Sequence, residues 1–205
     1  MKLWIKPTVF TFSLLPLAWL VFALLTDRLG ANPIEALTRE TGEWTLRLLL
    51  ITLCMTPLRR YMGWSWPLRV RRMLGLFVFF YACVHLSTYL WLDQFFDWGE
   101  IGRDILKRPF ITVGMLAFVL LIPLAVTSTR AMQKRLGRNW AKLHQLVYVI
   151  PALGVLHFWW LVKADVRTPL VYALLLVLLL GMRAHWQRQR RTAVHRNVEA
   201  SSGAA

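Results

Sequence analysis

The chain has 205 residues, 57% of them hydrophobic, and a formal net charge of +15. So apolar a composition excludes an ordinary soluble globular domain and predicts a polytopic membrane protein built as one domain. Nucleic-acid binding is argued against by the placement of the charge: the net positive charge lies on alternate connections between apolar runs, and the others hold nine acids with seven basic residues.

Hydropathy predicts six spans, at residues 7–25, 44–57, 73–92, 109–126, 143–162 and 169–182. The fold class expected is therefore an all-α integral membrane protein, a six-helix transmembrane bundle. With the N-terminus placed in the cytoplasm, the cytoplasmic segments carry Lys2, Lys6, Arg59, Arg60, Arg69, Arg71, Arg72, Arg130, Lys134, Arg135, Arg138, Lys142, Arg183, Arg188, Arg190, Arg191 and Arg196, against Glu199 alone. The acids Asp27, Glu35, Glu40, Glu43, Asp93, Asp97, Glu100, Asp104 and Asp165 fall on the other side. Retention of Lys and Arg on the cytoplasmic face places both termini inside.

The first span follows Lys2 and Lys6 as a signal peptide would, but Phe22, Ala23, Leu24 and Leu25 lead into Thr26 and Asp27 without a cleavage site, so it reads as a retained helix. Gly30, Asn32, Pro33 and Gly42 mark the following stretch as a loop. Arg47, one turn into the second span, is expected to snorkel to the outer interface rather than contact a cofactor. Cys54 and Cys83 lie inside spans and no CxxCH occurs, which argues against covalent c-type haem and a disulfide framework.

The third span contains His85, about 18 Å in from its basic end by the helical rise. The fifth runs the same way and carries His157 a similar distance along, so the two imidazoles are expected at one depth. An intramembrane histidine is costly unless satisfied, and two at matching depth on two helices suit the axial ligands of a six-coordinate b-type haem. Gly75, Gly114 and Gly154 lie where a flat ring is able to approach backbone, though helix packing explains such glycines equally. The connection after the third span, with Phe95, Phe96 and Trp98, reads as an interfacial helix or a docking surface for a partner.

His144 sits at the start of the fifth span, thirteen residues before His157, or roughly 20 Å along an α-helix. On an ideal helix the two rings point about 140° apart. The position matching His144 on the third span is Arg72, so a second haem would have another ligand there or be five-coordinate. Arg71 and Arg72 suit haem propionates or a flavin phosphate, and equally serve as topology markers. The sixth span is featureless. Residues 187–205, including His195, read as a basic, disordered cytoplasmic tail following a transmembrane domain of residues 1–186. No internal repeat, phosphate loop or dinucleotide fingerprint is visible.

The segments GANPIEALTRETGEWTLRLL, RRMLGLFVFFYACVHLSTYL, KRPFITVGMLAFVLLIPLAVTS and LGRNWAKLHQLVYVIPALGVLHFWW resemble the MsrQ (YedZ) family of haem-binding subunits, within the ferric-reductase-like transmembrane superfamily. The resemblance implies a multi-pass protein of the bacterial inner membrane. It would be an electron-transfer subunit rather than the catalytic one, serving MsrP, a periplasmic molybdenum enzyme that reduces methionine sulfoxide in oxidised proteins. It also implies one or two b-type haems, FMN, and electrons from the quinone pool or a cytosolic flavin reductase. The family's histidines fall on His85, His144 and His157. Rival readings are a diheme cytochrome reducing metal ions or quinone, and a transporter or channel using the same histidines.

Overall fold

The computed structural model describes residues 4–162 and 165–202. Among the described residues the chain is all helical: α1 (Ile5–Leu25), α2 (Pro33–Met62), α3 (Trp66–Ser87), α4 (Trp98–Lys107), α5 (Pro109–Val126), α6 (Arg130–Leu136), α7 (Arg138–Leu143), α8 (Val149–Leu161) and α9 (Arg167–Ser202). A π-helical turn, Thr88–Asp93, extends α3, and a 3₁₀ turn, His144–Tyr148, leads into α8. Five of these stretches are long and apolar enough to cross a bilayer: Ile5–Leu25, Trp66–Asp93, Pro109–Val126, Arg138–Leu161 and Arg167–Gln189. The chain is a multi-pass membrane protein.

The expected second span is the exception. α2 begins eleven residues before it, because Asn32 caps the helix by accepting from the Glu35 N–H at 3.3 Å and Pro33 occupies the first turn, where no amide hydrogen is needed. The stretch expected as a loop is thus helix, and Gly42 lies inside it. α2 ends at Gly63, whose φ of 69° is the left-handed conformation that terminates helices. Three charges in the first half of α2 compensate one another. Arg47 hydrogen-bonds Glu43, lies 3.7 Å from Glu40, donates to the Tyr172 hydroxyl of α9 at 2.9 Å, and stacks over Trp44. Arg47 therefore ties α2 to α9 instead of snorkelling free.

The main core joins α2, α3, α5 and α8 through Leu48, Leu49, Val70, Leu74, Phe77, Val78, Ala117, Leu121 and Ile150. Phe12, Trp19, Leu116, Val119, Leu174 and Val177 point outward from α1, α5 and α9, as side chains facing acyl chains do. α1 is attached through Tyr81, which is fully buried. Pro16 interrupts the α1 backbone, and the Tyr81 hydroxyl fills the gap: it donates to the Ser13 carbonyl at 2.8 Å and accepts from the Leu17 N–H at 3.1 Å. Where the chain leaves the π turn, Phe95 and Phe96 take positive φ of 48° and 59°. The amphipathic helix α4 follows, capped by Asp97, with Ile101 buried and Trp98 and Leu106 exposed.

α9 continues to Ser202, so the backbone of residues 187–202 is helical where the sequence suggested a disordered tail. Ala, Arg and Gln are strong helix formers and propagate the helix beyond its apolar part. Residues 203–205 lie outside the described residues.

Tyr81→Phe leaves two backbone groups of α1 without a partner in an apolar setting. The expected cost is about 1–3 kcal/mol, read as a lowered thermal midpoint in detergent with helical content unchanged before the transition.

Candidate functional site

The two predicted histidines meet. His85, near the end of α3, and His157, on α8, have ring centres 6.2 Å apart and planes at 79°. Each ring is held from behind by a helix carbonyl: His85 Nδ1 donates to Thr38 O of α2 at 2.9 Å, and His157 Nδ1 donates to Phe110 O of α5 at 2.6 Å. With Nδ1 as the protonated nitrogen, each Nε2 keeps its lone pair, and neither Nε2 has a hydrogen-bond partner among the described residues.

Both rings also press against glycine. A Cβ on Gly42 would fall 2.9 Å from His85 Cε1, and one on Gly114 would fall 2.7 Å from His157 Nδ1. Gly114 thus provides the close backbone approach suggested by the sequence. At Gly75 a Cβ would meet nothing within 4 Å, and at Gly154 only Leu46 at 3.5 Å, so neither glycine is demanded by a neighbour. Gly42, mistaken for a turn residue, is demanded.

The two helix pairs repeat one construction. Each histidine lies 47 residues after the carbonyl that holds it. From Thr38 to Phe110, from Gly42 to Gly114 and from His85 to His157 the interval is 72 positions. The same interval takes Arg72 to His144. An internal repeat is therefore present in geometry although the side chains around it do not show it in the sequence.

His144 belongs to the other end. Its Nε2 lies 3.0 Å from the Thr127 hydroxyl, and its ring stacks on Trp140 at 4.0 Å. Trp140 in turn donates to the Thr127 carbonyl at 2.9 Å. The 3₁₀ turn removes the expected angular mismatch. Five steps at about 120° and eight at about 100° leave His144 and His157 only about 40° apart around the axis. Both accordingly contact α5, one at Thr127 and the other at Phe110. Arg71 is half-buried and Arg72 exposed at this end.

The paired histidines suit an iron held axially. Two metal–imidazole bonds of about 2 Å, each extended by about 1.1 Å to the ring centre, would separate the ring centres by about 6 Å, matching the observed spacing. Among the described residues no three His, Cys, Asp or Glu side chains converge on one point, so the protein offers two ligands and a porphyrin would have to supply the rest. The Thr38 hydroxyl, on the residue whose carbonyl holds His85, is buried without a partner among the described residues. It is an orphan donor that a bound polar group would satisfy.

Comparison with known proteins points the same way. Residues 41–155 match the family model described as the ferric reductase like transmembrane component. Three similar proteins are each named the haem-binding subunit MsrQ of protein-methionine-sulfoxide reductase. The one from Herminiimonas arsenicoxydans is 56% identical over 92% of this chain and 88% of its own length. That from Azospira oryzae is 55% identical over 87% and 78%, and that from Rhodospirillum rubrum 57% identical over 85% and 85%.

Gly114→Ala and Gly42→Ala each force an imidazole aside. Overpacking of this kind costs about 1–3 kcal/mol, so haemin titration of the apoprotein should show roughly tenfold weaker binding, whereas Gly75→Ala should titrate as wild type.

Proposed function

The chain belongs to the ferric-reductase-like transmembrane family and, within it, to the MsrQ subunits; from this we propose that it binds b-type haem between His85 and His157 and carries electrons across a bacterial inner membrane. The observation that carries the proposal is the pair of Nε2 atoms left free by two Nδ1-to-carbonyl bonds, with the rings 6.2 Å apart. When bound, the haem supplies reversible one-electron chemistry.

The chain's own contribution is positional and electrostatic. The carbonyls of Thr38 and Phe110 fix the tautomer and rotation of each imidazole and raise its basicity toward a metal. Gly42 and Gly114 let the rings lie flat against α2 and α5. His144, steadied by Trp140 and by the contact of its Nε2 with the Thr127 hydroxyl, would offer its Nδ1 to a second haem toward the basic end, with Arg72 standing where the repeat would place a fourth histidine. Arg71 and Arg72 are the cations available there to haem propionates or an FMN phosphate.

In this reading α2 is a sixth crossing, supported by the internal neutralisation of Glu40, Glu43 and Arg47. Both termini and the basic end then face the cytoplasm, by the retention of Lys and Arg there. Electrons come from the quinone pool or a cytosolic flavin reductase and are delivered to a periplasmic molybdenum methionine sulfoxide reductase, MsrP. The relatives' name supports the methionine sulfoxide system. The chain is the electron-transfer subunit, and the chemistry on the sulfoxide belongs to the partner.

A reduced-minus-oxidised spectrum of the purified protein tests the ligands. His85→Ala and His157→Ala should each abolish the low-spin signal of that centre; its survival in both variants disproves the assignment. His144→Ala should lower the haem-to-protein ratio while keeping the first centre. Arg72→His restores the repeat and should convert a second centre to a bis-histidine low-spin spectrum.

A further inference from the structure

A second site stands at the basic end, on the far side of α8 from the histidine stripe. Arg183 of α9 lies with its guanidinium 4.2 Å over the ring of Tyr148, and its Nε is buried with no hydrogen-bond partner among the described residues. It lines a cavity with Arg71, Thr56, Tyr148 and the buried Trp186. The enclosed part measures about 10 Å³, room for one water, within about 300 Å³ that includes the open mouth. Arg60 stacks over Trp186 at 4.7 Å.

These guanidiniums have no counter-charge. Among the described residues no ion pair involves Arg60, Arg71 or Arg183. The sequence offers almost none: no Asp or Glu occurs between Glu43 and Asp93 or between Asp104 and Asp165, and only Glu199 follows Asp165. Glu199 is on the same helix as Arg183, sixteen residues on, about 24 Å along the axis. Arg71 and Arg183 are half-buried and Arg60 is exposed, but the Arg183 Nε is a buried donor without a partner among the described residues, which an acceptor from outside the chain would satisfy.

We propose that Arg71 and Arg183, with the Thr56 hydroxyl, form a binding site for a phosphoryl oxyanion, presented by a phosphate ester at the mouth of this cavity. Stacking on Tyr148 pre-orients the Arg183 fork at the cavity wall, and guanidinium forks match phosphoryl oxygens bidentately. Trp64, Trp66, Tyr61 and Trp186 cluster at this end, as aromatic residues do at headgroup depth, where lipid phosphates lie. The site shares Arg71 with the cations proposed above for propionates or a flavin phosphate, whereas Arg183, Thr56 and Tyr148 belong to it alone, so Arg183 variants test it separately from the iron ligands.

Delipidated protein in detergent is titrated with phosphatidylglycerol, with phosphatidylcholine and with inorganic phosphate, following thermal stabilisation and, by native mass spectrometry, bound ligand. Wild type should bind at least one phosphate-bearing probe, and Arg183→Gln should weaken that binding about tenfold. Arg183→Lys, which keeps the charge and loses the Nε donor, should weaken it about threefold and remains informative if the Gln variant does not fold. Arg130→Gln, an exposed basic residue at the same end, should bind as wild type. Binding of inorganic phosphate alone assigns a soluble ester, and a requirement for lipid assigns a headgroup; either supports the site. Equal binding by wild type and Arg183→Lys, equal losses in Arg130→Gln and Arg183→Gln, or no phosphate-dependent binding by wild type overturns it.

Discussion

Two hydrogen bonds from imidazole Nδ1 to helix carbonyls orient the paired histidines of this protein, and much of the bundle is arranged around them. In an apolar interior an imidazole N–H needs an acceptor, yet every carbonyl within a regular helix already accepts from a backbone N–H. Carbonyl oxygens have two lone pairs, so Thr38 and Phe110 are able to accept a second donor if the ring comes close to the helix surface. Glycine at 42 and 114, one turn further along, removes the methyl group that would hold the ring off. The glycine, the carbonyl and the histidine are thus one unit, used twice.

That duplication explains the arrangement of the helices. Each unit needs an antiparallel pair, one helix to supply glycine and carbonyl and another to supply histidine: α2 with α3, and α5 with α8. Placing the pairs side by side brings the two rings to 6.2 Å centre to centre, each ring being anchored on the helix of its own pair. The interval of 72 positions extends to Arg72 and His144, where the two copies differ. One end of the bundle is consequently symmetric and the other is not. At the asymmetric end arginines accumulate without acids, which is where a donor, a headgroup or a phosphate would be drawn.

Peripheral features serve this frame. The Tyr81 hydroxyl repairs the backbone at Pro16 and so fastens α1 to α3, one turn from His85. Arg47, Glu43 and Tyr172 fasten α9 to α2 next to Gly42. Polar side chains in an apolar slab act as directional clamps here because few competing partners surround them. Irregular helix has a matching role. The 3₁₀ turn at His144–Tyr148 rotates His144 onto the face that meets α5, and the π turn follows directly after the segment bearing His85.

Composition and hydropathy by themselves determined that the chain is an all-helical membrane protein, and helical rise determined that His85 and His157 share a depth, because both depend only on length and residue type. The asymmetry of Lys and Arg was equally legible, since it is a property of connections and not of packing. The segments were also specific enough to indicate the family. What they left open was orientation about each helix axis. The start of α2 was missed because Asn32 and Pro33 are turn and cap residues alike, and only the chain that follows decides which. Gly42 looked like a turn residue for that reason, and Gly75 and Gly154 looked like contact residues because small side chains carry no sign of what faces them. The angle between His144 and His157 was miscalculated for an ideal α-helix, since a 3₁₀ turn leaves no mark in residue types. The acceptors at Thr38 and Phe110 are backbone atoms present at every position. Only the tertiary structure selects which carbonyl meets an imidazole, because that choice is made by the packing of two helices distant in the chain.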